Sequence, residues 1–594
     1  MSDPPPAFDP AQVASAVMGA AAEWQSILAS HYLRGVRPAG QPLDPFGILP
    51  TLETLTRRWL SDPVGAFHTQ IDAWREYLGV WQHFNRRLLG LETTAVIAPQ
   101  PNDRRFVDQE WEANPFFDFL KQTYLVAADA LLKHAHATSG LEPTTRRKAE
   151  FILRQFADAL SPTNFIATNP EVLRATLDSG GQNLLAGLRH LVADFDLAQT
   201  QSNPRALDRA AFELGRNLAT TPGKVIFQND LMQLIQYRAT TPQVYRRPLL
   251  IIPGWINKYY LLDLQPENSL IRWAVAAGHT VFAISWVNPD ASLCDKDFAD
   301  YLREGPLAAL TAIEQATGER RVNLLGHGLG GTLLGATLAY LEANADTRVT
   351  SATFLASLLD FSEVGDLKVF IDDAQVTALE LQMQQTGYLD GRDLATAFNL
   401  IQANDLIWSL MINHYLLGHE PRANDVLHWN ADSTRVPARL HRTILRELYL
   451  ANALCEPGGM SIGDTPLDLS QVETSACFVA TTEDHIAPWQ ATYRSATLFK
   501  GEVKFLLGHG GHVTGIVNSP DLANHGHYTG PAIKGLPAEA WRARATLNPQ
   551  SWWYPWRDWL TRHGGDQVPA RKPGDGKLSS VESAPGSFVR VRYD

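Results

Sequence analysis

Val322-Asn323-Leu324-Leu325-Gly326-His327-Gly328-Leu329-Gly330-Gly331 runs from a short strand-like segment into a glycine-rich turn, and a helical stretch follows from about Leu329 to Ala343. Two chemistries use a strand, a tight glycine turn and a helix in this order. Gly326, Gly328 and Gly331 satisfy G-x-G-x-x-G, the turn that brings backbone N–H groups close to a pyrophosphate at a helix N-terminus. Asp360, near the end of the next strand, is then the acidic candidate. The same residues satisfy G-x-Nuc-x-G, a sharp turn that presents a nucleophilic side chain from the end of a strand. In that reading the nucleophile position is Gly328, which has no side chain.

Outward from the turn, strands and helices alternate. Leu249–Ile252 is a short apolar run ended by Pro253-Gly254, as a buried parallel strand looks. Helical Ser269–Ala277, strand Thr280–Trp286, helix Phe298–Thr317, strand Val322–Leu325, helix Leu329–Ala343 and strand Ser351–Leu355 follow. After an all-helical stretch the alternation resumes with strands Ala476–Ala480 and Val503–Leu507. This alternation predicts an α/β fold with a parallel sheet. Residues 1–100 read as a variable segment of helical pieces with Pro-rich gaps, and 101–244 as a mostly helical N-terminal domain. Residues 245–564 read as the catalytic-type domain with a helical lid at about 366–450, and 565–594 as a flexible tail with a docked end.

Chain order separates the two readings of the turn further. A nucleophile elbow in the middle of a sheet is followed by an acid and then a histidine, each just after a strand. Asp484 follows Ala476–Ala480, and His512 follows Val503–Leu507. That order fits an α/β-hydrolase fold with a helical lid between elbow and acid. His327, Leu329, Gly330 and Gly331 also match the lipase elbow G-H-S-L-G-G, except at Gly328.

Composition sets bounds. The 594 residues are 45% hydrophobic and 19% charged, enough apolar material for a large core beside a second domain. The net charge of −12 argues against a nucleic-acid binder, which needs a basic face. Three cysteines far apart (Cys294, Cys455 and Cys477) make neither a disulfide framework nor a zinc module, and fit a reducing cytoplasm. The first residues lack a basic segment followed by an apolar one, and no apolar run reaches about 18 residues. A soluble protein with neither secretory signal nor membrane span is expected.

Longer stretches carry a resemblance. They include Asn114-Pro115-Phe116-Phe117, Ser161-Pro162-Thr163-Asn164-Phe165, Gly215-Arg216-Asn217-Leu218-Ala219-Thr220-Thr221-Pro222-Gly223 and Asn229-Asp230-Leu231-Met232-Gln233-Leu234. Trp255-Ile256-Asn257-Lys258-Tyr259-Tyr260, Ser285-Trp286-Val287-Asn288-Pro289-Asp290, Trp429-Asn430-Ala431-Asp432-Ser433-Thr434-Arg435 and Glu483-Asp484-His485-Ile486-Ala487-Pro488-Trp489 extend the set. Over nearly all of 100–594 the chain resembles the class I polyhydroxyalkanoate (poly-3-hydroxybutyrate) synthases. The resemblance implies a cytoplasmic acyltransferase that joins (R)-3-hydroxyacyl groups from coenzyme A into a polyester. Acyl-CoA is the substrate, and no cofactor or metal is implied. It also implies the polyester granule surface as a partner, and a homodimer or a heterodimer with an active synthase. In the family an elbow cysteine carries the chain as a thioester. The resemblance assigns thiol activation to His512, activation of the attacking hydroxyl to Asp484, and the oxyanion hole to backbone N–H groups at Leu329 and Trp255.

The family elbow reads roughly G-Y-C-x-G-G, whereas this chain has His327 and Gly328 at the aromatic and cysteine positions. Gly510 stands where the family has a serine, and Pro253-Gly254 where it has Pro-Pro. Cys477 is expected in the core, Cys294 in a polar turn, Cys455 beside Pro457-Gly458-Gly459, and the His327 side chain is expected to point away from the reacting atom. Three readings stay open: a family member that has lost chain-carrying chemistry and acts by binding; an acyltransferase or thioesterase using His512 and Asp484 without a covalent intermediate; and a nucleotide site at Gly326–Gly331.

Overall fold

The computed structural model describes residues 47–100, 103–200, 211–401, 403–420, 424–521 and 526–592. Expectations for residues 1–46 lie outside the described residues. The chain forms two compact units, one from the described residues between 47 and 200 with those between 398 and 420, the other from 211–397 with 424–592.

The first unit is helical. Its helices include Ile48–Ser61, Pro63–Leu88, Pro115–Ala137, Pro143–Ala159, Pro170–Asp178 and Gln182–Thr200. Pro63, Pro115, Pro143 and Pro170 each occupy the first turn of a helix, where a missing N–H costs nothing. Asp62, Asn114 and Asn169 cap three of these starts by accepting backbone N–H bonds. Residues 398–420, from the stretch expected to be lid, belong to this unit. Asn183 Nδ2 donates to Leu416 O (2.8 Å), and the His190 and His414 rings stack at 4.2 Å. The 26-residue helix Pro63–Leu88 leaves Phe67 (61% exposed), Trp74 (59%), Leu78 (53%) and Trp81 (49%) uncovered, at spacings of about two, one and one helical turns.

The second unit is built on an eleven-stranded sheet. In chain order its strands are β1 (Gly223–Gln228), β2 (Met232–Tyr237), β3 (Leu249–Ile252), β4 (Val281–Trp286), β5 (Val322–His327) and β6 (Val349–Leu355). Then come β7 (Ser475–Thr481), β8 (Val503–Gly508), β9 (His527–Pro531), β10 (Thr546–Asn548) and β11 (Glu582–Ser583). The spatial order is β10-β9-β8-β7-β6-β5-β3-β4-β2-β1-β11. The strands β4, β3, β5, β6, β7 and β8 run parallel, with antiparallel strands on both flanks. β3, β4 and β5 are buried along their whole length, as both-face-covered parallel strands must be. Trp552, Trp553 and Trp556, at the start of helix Trp553–His563, fill the core against Leu249, Leu325 and Val479.

Two differences from the sequence reading have physical causes. β1 and β2 form a hairpin of the main sheet, although 101–244 read as helical. Gln228, Gln233 and Gln236 interrupt the apolar runs, and Gln233 and Gln236 are nonetheless buried. The tail is docked rather than loose: Gln567–Pro569 pairs with Gln243–Tyr245, and β11 pairs with β1. β11 thereby covers an edge that would otherwise present unpaired N–H and C=O groups.

Candidate active site

Three site-bearing loops leave the same end of the parallel strands. The turn after β5 carries Gly328, the loop after β7 carries Asp484, and the loop after β8 carries His512.

Gly328 sits at the apex of a sharp turn with φ 55° and ψ −125°, backbone that an L side chain rarely adopts. Its N–H donates to Leu355 O (3.0 Å), and its carbonyl accepts from Gly331 N–H (3.0 Å), so the turn is pinned to β6 and to its own helix. The other glycines are compelled by packing. A Cβ on Gly326 would lie 2.5 Å from Gly331 Cα. One on Gly330 would overlap the Ile252 carbonyl oxygen, and one on Gly331 the Ser357 hydroxyl. Gly328 differs: apart from its two chain neighbours, nothing lies within 4 Å of where its Cβ would be. Leu329 opens helix Leu329–Ala343, so its N–H has no carbonyl of that helix to reach. That nitrogen lies 3.9 Å from where a Cβ on Gly254 would stand, which sets the loop after β3 beside the elbow.

Asp484 and His512 meet. His512 Nδ1 lies 2.7 Å from Asp484 Oδ2, and the Asp484 side chain is fully buried. Asp484 Oδ1 accepts N–H bonds from Ile486 (2.9 Å) and Ala487 (2.7 Å), so its own loop fixes the carboxylate. A carboxylate can only accept, which places the imidazole proton on Nδ1 and leaves His512 Nε2 as the basic nitrogen.

The expectation that the His327 side chain points away is corrected. Its ring lies 5.9 Å from the His512 ring at 43°, and its Nε2 is buried without a hydrogen-bond partner. Burial, reinforced by the neighbouring His512, pushes the His327 imidazole down to about 3, so the ring is neutral. Sequence reasoning missed this because the strand runs through His327, two residues beyond its expected end, and a strand residue's direction follows its register.

The cysteines lie elsewhere. Cys477 is in β7, between Thr353 and Lys504 on the neighbouring strands, and burial pushes its thiol up to about 12. Cys455 donates to Asn452 O (3.2 Å) and is pushed up to about 11, by burial and then by nearby Asp360. No cysteine atom comes within 4 Å of the Cβ position on Gly328. Asp360, the acid of the dinucleotide reading, accepts from Ser362 N–H (2.8 Å) in its own loop and from the distant Asn452 Nδ2 (2.9 Å).

Two motifs quoted far apart prove to be partners. Lys258 Nζ pairs with Asp432 Oδ1 (2.7 Å), and Tyr260 OH donates to Asp432 Oδ2 (2.9 Å). Trp429 Nε1 donates to Lys258 O and Thr434 Oγ1 to Trp255 O, both at 2.7 Å. The loop carrying Trp255, the expected oxyanion donor, is therefore clamped by the segment 429–435. Among the described residues no group of three or more His, Cys, Asp or Glu side chains is placed to hold a metal ion, and no helix is long and apolar enough to cross a membrane.

Comparison with known proteins gives concordant matches. Residues 102–274 match the family described as poly-beta-hydroxybutyrate polymerase (PhaC) N-terminus, and 247–519 match the alpha/beta hydrolase fold. The chain is 46% identical to the poly(3-hydroxyalkanoate) polymerase of Methylorubrum extorquens, over 91% of this chain and 89% of that one. It is 45% identical to the polymerase subunit PhaC of Rhizobium meliloti, over 97% and 94% of the two chains. The corresponding subunit of Cupriavidus necator is 38% identical over 83% of each.

Proposed function

The chain belongs to the poly-beta-hydroxybutyrate polymerase family, and from that premise we propose that it receives (R)-3-hydroxyacyl-CoA at the Asp484–His512 end of the sheet but does not carry a polyester chain on its own elbow. The observation behind this reading is Gly328: an elbow apex with no side chain and no cysteine sulfur in reach. The family's chemistry begins with a thiolate, and glycine supplies none. Removing such a nucleophile costs ~10⁶ in kcat, and the remaining ~10³–10⁴ over water is too little for a polymerase. The protein then works by binding, on a polyester granule or beside an active synthase, as a homodimer or heterodimer. The apolar stripe Phe67, Trp74, Leu78 and Trp81 supports attachment to an apolar surface.

One observation favours a second reading. His512 is oriented by a buried, doubly anchored Asp484 and keeps Nε2 available. Such a pair activates an acceptor hydroxyl or water directly against a thioester. Backbone N–H groups at Leu329 and Trp255 would face the developing oxyanion.

Intact-mass analysis after incubation with (R)-3-hydroxybutyryl-CoA tests the first reading. The expected result is no acyl adduct and no polymer, and an adduct on the wild-type chain overturns it. Free CoA release, measured with and without His512→Ala, tests the second. Release that depends on His512 supports direct transfer, and its absence leaves a binding protein.

A further inference from the structure

We propose that His327 is the second imidazole of this site, and that with His512 it holds the oxygen of the acyl acceptor, water or an alcohol, in the space Gly328 leaves open. The inference rests on the direct-transfer reading above and gives it a second residue.

His327 ends β5 and is 7% exposed, with Nε2 unpartnered. Leaving a buried polar atom unmatched costs about 1–3 kcal/mol, so native structures seldom do it without a ligand or a water. The nearby ring is His512, at 5.9 Å between centroids. Two neighbouring imidazoles can share one oxygen as a hydrogen-bond partner, each N···O bond spanning about 2.8 Å. The apex that follows His327 is open: apart from its chain neighbours, nothing lies within 4 Å of where a Cβ on Gly328 would stand. The other titratable groups close by are Asp484, already bonded to His512, and His485, whose imidazole is lowered chiefly by burial.

The two imidazoles then divide the work. His327 stays neutral at physiological pH, so it does not compete for the acceptor's proton. Protonated on Nε2, it donates to one lone pair of the acceptor oxygen and leaves the other aimed at the thioester carbonyl. As that oxygen attacks, its proton passes to His512 Nε2. The C–S bond breaks, the CoA sulfur leaves with the proton from His512, and an ester or a free acid forms. Nothing is oxidised or reduced.

A reporter thiol tests the placement without needing turnover. In Gly328→Cys the sulfur enters the proposed oxygen position, and its apparent pKa is read from the pH dependence of alkylation by iodoacetamide. Adding His327→Phe removes the donor and is expected to raise that pKa by about one unit, a tenfold loss of alkylation rate at a fixed pH below it. His327→Gln keeps a donor and is expected to stay near the Gly328→Cys value. If the Phe variant does not fold, His327→Leu makes the same comparison. Superimposable profiles with and without His327 overturn the proposal. If the thiol shifts as expected while wild-type protein releases no CoA, direct transfer fails and the placement of His327 stands.

Discussion

Replacing Gly328 by cysteine isolates what the elbow lacks. The cost to the fold is set by backbone, because a Cβ there meets nothing within 4 Å beyond its chain neighbours. Holding a non-glycine residue at φ 55° and ψ −125° costs about 1–3 kcal/mol, so Gly328→Cys is expected to fold with a modestly lowered Tm. On the proposed geometry the new thiol reaches His512, which Asp484 orients at 2.7 Å. An imidazolium neighbour lowers a thiol from its free value of about 8.5. The expected outcome is a covalent adduct of one 3-hydroxybutyryl group per chain, seen by intact mass within a single turnover. General-base assistance contributes about 10²–10⁴, so His512→Ala in the Gly328→Cys background should slow acylation by that factor. A folded Gly328→Cys protein whose thiol titrates near the free value and stays unacylated would refute the reasoning. It would mean that the Asp484–His512 pair does not face the apex.

Other perturbations follow from the same geometry. Asp432→Ala removes the carboxylate paired with the buried Lys258 ammonium and should cost about 3–5 kcal/mol in urea unfolding, whereas Lys258→Met with Asp432→Leu should recover much of it. Asp263 is buried, and burial raises its carboxyl to about 6 despite bonds from Thr221 and Ser269. The folded state therefore holds a proton that the unfolded state has released between about pH 4 and 6, so stability falls as pH rises through that window, by about 2–3 kcal/mol in all. Asp263→Asn should raise the Tm at pH 7.5 and change it little at pH 4, and an equal shift at both would contradict this. Trp74→Glu with Trp81→Glu should abolish co-sedimentation with polyester particles and leave far-UV circular dichroism unchanged.

How much of this was legible in the sequence depended on the range of the cause. The elbow, its helix and the strands on either side are set by neighbours in the chain, and helix Leu329–Ala343 lies where glycine spacing and apolar content put it. The Asp484–His512 pair was legible through order alone, because both residues sit just past strand ends. What stayed hidden was set by register or by distant partners. The hairpin of β1 and β2 was masked by glutamines that point inward. The direction of His327 needs the strand's true end. The clamp of Lys258 by Asp432 joins residues more than 170 positions apart, and neither local periodicity nor composition carries that information.

The glycines around the elbow differ in what packing demands of them. Gly326, Gly330 and Gly331 admit no Cβ, so the strand, the loop after β3 and Ser357 enforce them whatever the protein does. No such constraint acts on Gly328. Glycine there relieves a positive-φ strain of about 1–3 kcal/mol, which a nucleophile-bearing elbow must store. Stability therefore accounts for glycine at this position. In the Asp484–His512 pair the two backbone N–H donors serve Asp484 Oδ1 and His512 serves Oδ2, so the pair also satisfies a buried carboxylate. Meanwhile His327 keeps a buried nitrogen unmatched, a cost that burial alone gives no reason to retain. The proposal of an acyltransferase site without a covalent carrier joins two observations: an apex with no side chain and an imidazole oriented by Asp484.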